Sequence, residues 1–539
     1  MRPFVSLLVV QFLIFGLLVG PVPAHAQTST AGSITPIKHI VVIFQENISF
    51  DHYFGTYPVA TNPEGEPAFT ALPGTPSVNG LTDVLTTRNP NFVNTANANG
   101  AVNPFRLDRS QAATTDQNHN YGPEQSAVHG GMMDLFPSSV GTAGPPPTPP
   151  GMGFYPYSTT GITMGYYDGN TVTALWNYAQ HFAMSDNSYG TTFGPSTPGA
   201  INLVSGQTNG VTGNINGTGS VTTGGNGTTT DIGDADPIGD VCSTTTGELF
   251  SFTGQTIGDL LNTAGVTWGF FTQGFDLSVT NANGTTGCAR STTSLVTATK
   301  KADYIPHHEP FQYYKSTANP THARPTSVAS VGFTDAANHQ YDMHDFYDAV
   351  NAGNFPAVSF LKAPGYQDGH AGYSDPLDEQ AFIVNVINFL QKSGDWESTA
   401  VVIAYDDSDG WYDHQMGPIV NQSSSPADTL NGAGSCGTGT TSALPGPGVS
   451  APVQGRCGYG PRLPLLVISP WAKPNFVDHT VTDQSSIIRF VEDNWLNGTR
   501  IGNGSFDTIA NSIANMLQFT KANKKTLILD PASGQPVAP

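Results

Sequence analysis

Charge is scarce in this chain of 539 residues: Asp, Glu, Lys and Arg make up 11% of it, against about 25% in an ordinary soluble domain. Positive charge is scarcest, with 20 Lys and Arg against 41 Asp and Glu, a net charge of −21. So few cations argue against a nucleic-acid partner, because phosphate backbones are gripped by Lys and Arg. Cysteine is scarce too. Cys242, Cys288, Cys436 and Cys457 are its four, and none has the Cys-x-x-Cys spacing of a zinc-thiolate site. There is no His-Glu-x-x-His motif, no Walker loop and no dinucleotide-binding glycine fingerprint. Past the run 5–19 no apolar stretch approaches the roughly 18 residues of a membrane span, so no stable membrane anchor is expected in the mature chain.

What is abundant points to a large core with long loops. Hydrophobic residues make up 38%, including 29 Phe and 19 Tyr, which excludes wholesale disorder. Gly and Pro supply 60 and 41 residues. At the N-terminus, Arg2 precedes the apolar run 5–19 and then Ala24-His25-Ala26. This is the pattern of a cleaved signal peptide, residues 1–26, and predicts a secreted or periplasmic protein. Export favours disulfides over free thiols. Four cysteines allow three pairings; Cys242–Cys288 and Cys436–Cys457 would each close a short loop.

Strands alternate with helices. Residues 37–44, 266–272, 357–361, 399–405 and 463–469 read as buried strands, short and rich in β-branched residues. Helical spacing marks 171–182, 256–264, 377–390 and 484–496. The expected fold is α/β, a mostly parallel central sheet with helices on both faces. A catalytic domain over 27–505 would carry Gly-rich insertions near 206–246 and 421–460 and a polyproline-like loop at 137–151. A helix near 506–518 and a tail to 539 would follow.

Ligands of open α/β sheets sit beyond the carboxyl ends of the strands. The first strand runs into Gln45-Glu46-Asn47, and the strand at 399–405 into Asp406-Asp407-Ser408-Asp409. One Asp-rich turn is usually a cap or a turn. Two at strand ends suit a hard divalent cation held by Glu46, Asn47, Asp406 and Asp407. His119, His307, His308 and His370 lie in Gly-, Pro- and Asn-rich loops that a rigid scaffold can converge, where imidazoles can hold or donate protons. Ser196 sits in Gly194-Pro195-Ser196-Thr197-Pro198. Pro198 breaks a G-x-S-x-G elbow, yet such a serine can act as nucleophile beside a metal.

The segment from Lys38 to Asn47, followed by Ser49-Phe50-Asp51-His52-Tyr53-Phe54-Gly55, closely resembles the opening signature of the bacterial phosphoesterases. That family includes non-haemolytic phospholipases C and acid phosphatase A enzymes. The likeness continues in order through Gly194-Pro195-Ser196, His307-His308-Glu309-Pro310-Phe311, Asp368-Gly369-His370, Tyr405-Asp406-Asp407 and Arg462-Leu463-Pro464. The resemblance implies an alkaline-phosphatase-like fold and metal-assisted phosphoester hydrolysis. One divalent ion would be held by Glu46, Asn47, Ser196, Asp406 and Asp407. Ser196 would also be the nucleophile, and His119, His307, His308 and His370 would contact phosphate or move protons in protonated form. Family members commonly carry Arg after the Glu-Asn pair, where this chain has Ile48.

The expected activity is hydrolysis of phosphate monoesters, as in an acid phosphatase. A phospholipase C acting on phospholipid head groups is the alternative, and a non-catalytic secreted binding protein the second. A lipase would expose an apolar rim. Met132, Met133, Leu135, Phe136, Phe154, Tyr155, Tyr157, Tyr166 and Tyr167 could form one, but are read here as core or lid.

Overall fold

The computed structural model describes residues 32–143, 157–437 and 453–537. The signal-peptide segment and most of the polyproline loop, with Phe154 and Tyr155, lie outside these residues.

β1 (His39–Gln45) is apolar along nearly its whole length because it is covered on both faces. Ile40, Val41, Val42 and Ile43 are all fully buried. Seven further strands complete the main sheet: β2 (Ala183–Ser185), β3 (Trp268–Thr272), β4 (Gln340–Tyr341), β5 (Val358–Lys362), β6 (Thr399–Tyr405), β7 (Leu465–Ile468) and β8 (Phe476–Asp478). Their order is β4-β3-β5-β1-β6-β7-β2-β8. All neighbours are parallel except that β7 runs antiparallel to both β6 and β2. The expected α/β sheet is therefore present, with one reversed strand.

Register decides what meets at the carboxyl edge. β1 pairs with β6 from His39–Thr399 through Gln45–Tyr405, so Glu46 and Asp406 leave the sheet side by side. On its other edge β1 pairs with β5 as far as Ile43–Leu361, and Lys362 follows directly.

The helices begin where capping chemistry allows. α1 (Phe50–Phe54) starts at Ser49, whose hydroxyl accepts from His52 N. α2 (Thr173–His181), α4 (Ile257–Ala264), α6 (Pro376–Lys392) and α7 (Ser485–Trp495) fall on the expected helices, while α3 (Ser196–Ser205) and α5 (Met343–Asn351) are helices the sequence reading did not mark. α6 opens on Asp375, which accepts from both Leu377 N and Asp378 N. α2 and α5 pack against the main sheet.

Two expectations fail. The 506–518 segment is not a helix. It forms two 3-10 turns, Phe506–Thr508 and Ile513–Met516, because Ser505 and Ser512 each cap a new turn through their hydroxyls. The insertion at 206–246 is not a loose excursion. It folds with Leu249–Phe252 into a second sheet of five strands and sends Asp234 and Asp236 toward the serine loop. Gly and Thr there serve a sheet whose register shifts at two places. The cysteines pair as Cys242–Cys288 and Cys436–Cys457.

A buried ion network braces α1 against the loop before β7. Arg462 donates to Asp51 at 3.0 Å and Asp413 at 3.1 Å, and to the carbonyls of Asn79 and Asp186. His414 Nδ1 lies 2.6 Å from Asp51 Oδ2, and its Nε2 lies 3.2 Å from the Asn79 side chain. Burial opposes both charges. His414 and Arg462 nonetheless hold Asp51 below its ordinary value, and Asp51 holds His414 above 6.5. A raised imidazole contributes its full stability below its unfolded value and loses it as pH climbs through the folded one. The lowered Asp51 contributes above about pH 4. The pair thus acts between about pH 4 and 6.5. His414→Gln should lower Tm most near about pH 5, and the gap to wild type should narrow on the alkaline side. A gap that is constant with pH contradicts this.

Candidate active site

The turn after β1 needs a residue that tolerates the left-handed region, since Asn47 has φ 56°. Asn is among the few side chains that do so readily. The turn carries the Glu46 carboxylate and the Asn47 amide over the sheet edge, both fully buried.

Ser196 arrives from a different element. It is the first residue of α3, whose N-terminal peptide dipoles place positive potential at the hydroxyl. The loop before it is held by Glu124, which accepts from Gly194 N at 2.9 Å and from Ser408 Oγ at 2.6 Å. Burial pushes the Glu124 carboxyl up to about 7. Thr197 is tied through both its N–H and its hydroxyl to Asp234, at 2.9 Å each. Helix α3 can come so close to β6 only because residue 199 is glycine: a Cβ there would stand 2.3 Å from Asp406 O. Gly199→Ala should push Ser196 away from the carboxylates and cost on the order of 10²-fold in kcat, with an unchanged circular-dichroism spectrum. Wild-type turnover in that variant contradicts the close approach.

The side chains converge on one point. Ser196 Oγ donates to Glu46 Oε2 at 2.9 Å and lies 3.4 Å from Asp407 Oδ2. Asn47 N donates to Asp406 Oδ1 at 3.2 Å. The Asn47 side-chain oxygen faces Glu46 Oε2 at 2.7 Å and Asp406 Oδ1 at 3.1 Å, acceptor against acceptor. Turning the amide over would supply protons there. The neighbour on the other side argues against the turn. His370 Nδ1 lies 2.6 Å from Ala371 O and so carries the ring proton. Burial lowers this ring to about 4, which leaves Nε2 as an acceptor for the Asn47 nitrogen at 3.2 Å. In that orientation the amide oxygen lies among the carboxylates, where a cation would satisfy it. Asp406 Oδ2 is buried with no hydrogen-bond partner, an unpaired atom that also calls for a ligand. The donor set of carboxylate, amide and hydroxyl oxygens suits a hard divalent ion.

The electrostatics tell the same story. Burial raises Asp406 and Asp407 well above the ordinary carboxylate range; for Asp406, Glu46 and Asp407 raise it further, and for Asp407, Glu124 and Glu46 do so against the pull of His119. Glu46 goes the other way: against burial, the Lys362 ammonium bonded to its Oε1 holds it below that range. Carboxylates so crowded are short of positive charge.

The four expected histidines divide into two kinds. Burial opposes charge on His119, but Asp407 and Asp409 carry it well above 6.5. Its Nδ1 lies 3.1 Å from Asp409 Oδ1 and 2.9 Å from Gln117 O. Asp236, 3.3 Å away, likewise raises His307 against burial. That ring is partly open to solvent and stands 4.6 Å from the ring of His308, in a turn that packs on α3. His308 and His370 are held neutral by burial. His308 Nδ1 lies 3.2 Å from Glu46 Oε1. Neighbouring carboxylates thus raise two of the rings, while burial lowers the other two.

Sequence reasoning missed Lys362, Glu124 and Asp409. Lys362 had a visible signal, a Lys closing an apolar strand at the ligand-bearing edge. Glu124 and Asp409 had none beyond their neighbours.

A model of the phosphoesterase family matches residues 37–496. The chain belongs to the phosphoesterase family. The non-hemolytic phospholipase C of Pseudomonas aeruginosa is 25% identical over 87% of this chain and 55% of its own length. Phospholipase C A of Mycobacterium tuberculosis is 23% identical over 88% of this chain and 74% of its own. The chain spans only a little over half the length of the first of these relatives. A solved protein of the alkaline phosphatase superfamily from Vibrio parahaemolyticus aligns over 86% of this chain and 92% of its own, at 12% identity and a TM-score of 0.27.

Proposed function

We propose that the protein is an exported, metal-dependent phosphoesterase in which Ser196 is the nucleophile. The carrying observation is the Ser196 hydroxyl, at a helix N-terminus and 2.9 Å from Glu46 Oε2, beside converging carboxylate and amide oxygens of which Asp406 Oδ2 has no hydrogen-bond partner. Glu46, Asn47, Ser196, Asp406 and Asp407 would hold one divalent ion. When bound, the ion would lower the hydroxyl pKa and polarise the phosphoryl group.

The chain's own residues supply the rest. Glu46 Oε2 takes the Ser196 hydrogen bond and aims the oxygen for in-line attack on phosphorus. His119, charged at neutral pH, covers the developing charge on the phosphoryl oxygens. His370, neutral and tied to Ala371 O, orients Asn47 rather than acting as an acid. His307, raised and facing the solvent side, protonates the departing alcohol. Water then hydrolyses the phosphoseryl enzyme, with His307 taking the proton back.

Phosphate monoesters of small molecules are the substrates favoured. Met133, Phe136, Tyr157 and Tyr167 are buried, so the aromatic-rich segment supplies core rather than a bilayer-binding rim. Among the described residues of that group, only Met132 is strongly exposed, at 54%. The net charge of −21 also disfavours anionic lipid surfaces. The phospholipase C names of the relatives support the second reading, cleavage of phospholipid head groups. Two disulfides support an oxidising, extracytoplasmic location. A p-nitrophenyl phosphate assay run beside a phosphatidylcholine-vesicle assay separates the readings. We expect turnover of the first and little of the second. The reverse pattern overturns the monoesterase assignment, and no turnover of either overturns the enzyme.

A further inference from the structure

Lys301 is a cation beside the site with no anion of its own. It lies half-buried in the strand Lys300–Ala302, which pairs antiparallel with Ser291–Thr293. Among the described residues the lysines that form ion pairs are Lys362, with Glu46, and Lys524, with Glu397; Lys301 forms none. Its ammonium instead lies 3.6 Å from the centre of the Tyr373 ring, and Tyr373 is stacked on His370 at 4.4 Å between ring centres.

The acids near enough to feel this charge are Asp368, Glu46, Asp116 and Asp234, and each has closer partners. Asp368 accepts from His370 N at 3.0 Å and from Tyr373 Oη at 3.1 Å. Glu46 takes the Lys362 ammonium, and Asp234 holds Thr197. Asp116 has a half-exposed side chain 3.5 Å from His119 Nδ1. The Lys301 charge also reaches His307 and His308, which places it on the side where the alcohol departs.

The position is fixed. The strand Lys300–Ala302 packs on the turn Gly365–Gln367, and a Cβ at residue 365 would stand 2.7 Å from Lys301 Cγ. Asp303, the next residue, accepts from Thr292 Oγ1 and from Asn281 Nδ2 at 2.8 Å each. Burial opposes the Lys301 charge, so an arriving anion restores what desolvation removes. A quaternary ammonium, as in a choline head group, needs an open aromatic face. Here Lys301 covers the Tyr373 ring and carries like charge.

Resting on the phosphomonoesterase reading above, we propose that Lys301 is a specificity-determining residue that binds a second negative group on the leaving alcohol. The preferred substrates are then phosphate monoesters whose alcohol is itself anionic.

The test compares kcat/KM for 3-phosphoglycerate and glycerol 3-phosphate, which differ by a carboxylate in place of a hydroxymethyl group, in the full-length protein supplied with divalent cation. Wild type should prefer 3-phosphoglycerate at least about tenfold, the order of one ion pair near a protein surface. The preference should fall on KM, since the contact is the same in ground and transition states. K301M should bring the ratio to about one by removing that charge, and K301R should stay nearer wild type than K301M. Where K301M fails to fold, K301Q makes the same comparison. Wild type that hydrolyses p-nitrophenyl phosphate without preferring 3-phosphoglycerate overturns the inference and leaves the phosphoesterase reading standing, a result that needs no variant. A preference that survives in K301M also overturns it, because a ratio taken within one variant cancels any general loss of activity. If wild type turns over none of these esters, both fail together.

Discussion

Ser196→Ala should reduce hydrolysis of p-nitrophenyl phosphate by at least about 10³-fold, as expected when the nucleophile of a covalent mechanism is removed. The loss should fall on kcat. Inorganic phosphate should still inhibit residual turnover, because the imidazoles and the cation-binding oxygens remain. The hydroxyl has one strong partner, Glu46 Oε2 at 2.9 Å, and the substitution fills no space and opens little. A folded variant is therefore expected, with unchanged Tm to within about 1 kcal/mol of stability. A serine that merely capped the helix would leave kcat near wild type when replaced. That result would remove Ser196 from the chemistry.

The second large effect belongs to Asp406. Asp406→Asn keeps the shape of the side chain and removes its charge. Divalent-cation affinity should fall at least about 100-fold, since exchanging a direct carboxylate ligand should cost no less than disturbing an outer-shell partner. The same variant should be no less stable without metal. In the metal-free protein Asp406 is a buried carboxyl with Oδ2 unpaired, pushed up by burial and by Glu46 and Asp407, so neutralising it relieves repulsion. The two measurements therefore move in opposite directions, loss of cation binding and retention or gain of metal-free Tm. A residue that only braced the turn would lose stability and leave cation affinity unchanged.

Much of this arrangement is legible in the sequence, for identifiable reasons. β1 and β6 are buried on both faces, so their apolar runs are unbroken and the polar residues that end them stand out. Glu46-Asn47 and Asp406-Asp407 are visible for that reason, and parallel pairing of adjacent strands accounts for their meeting. Cys242–Cys288 and Cys436–Cys457 follow from loop length. What composition hid was the role of Gly- and Thr-rich sequence. The 206–246 segment reads as a solvated insertion because it has no aromatic residue, no Leu and no Met. Its backbone nonetheless pairs into a sheet whose Asp234 and Asp236 hold Thr197 and His307. Protonation was also out of reach. His119 and His370 look alike in the sequence, yet the Asp409 carboxylate beside one and the Ala371 carbonyl beside the other set them apart. The 506–518 segment misled for a local reason: Ser505 and Ser512 offer the backbone partners that restart a turn.

The central claim is that phosphoryl transfer passes through Ser196, and acid quenching tests it most directly. The enzyme, supplied with divalent cation, is mixed with a phosphate monoester, quenched in acid during turnover, digested and analysed by mass spectrometry. The account predicts one phosphoryl group on the peptide that contains Ser196, stable to acid as a serine ester and absent from Ser196→Ala. Phosphate found on a histidine peptide instead, or turnover with no phosphorylated Ser196 peptide at any quench time, would contradict it.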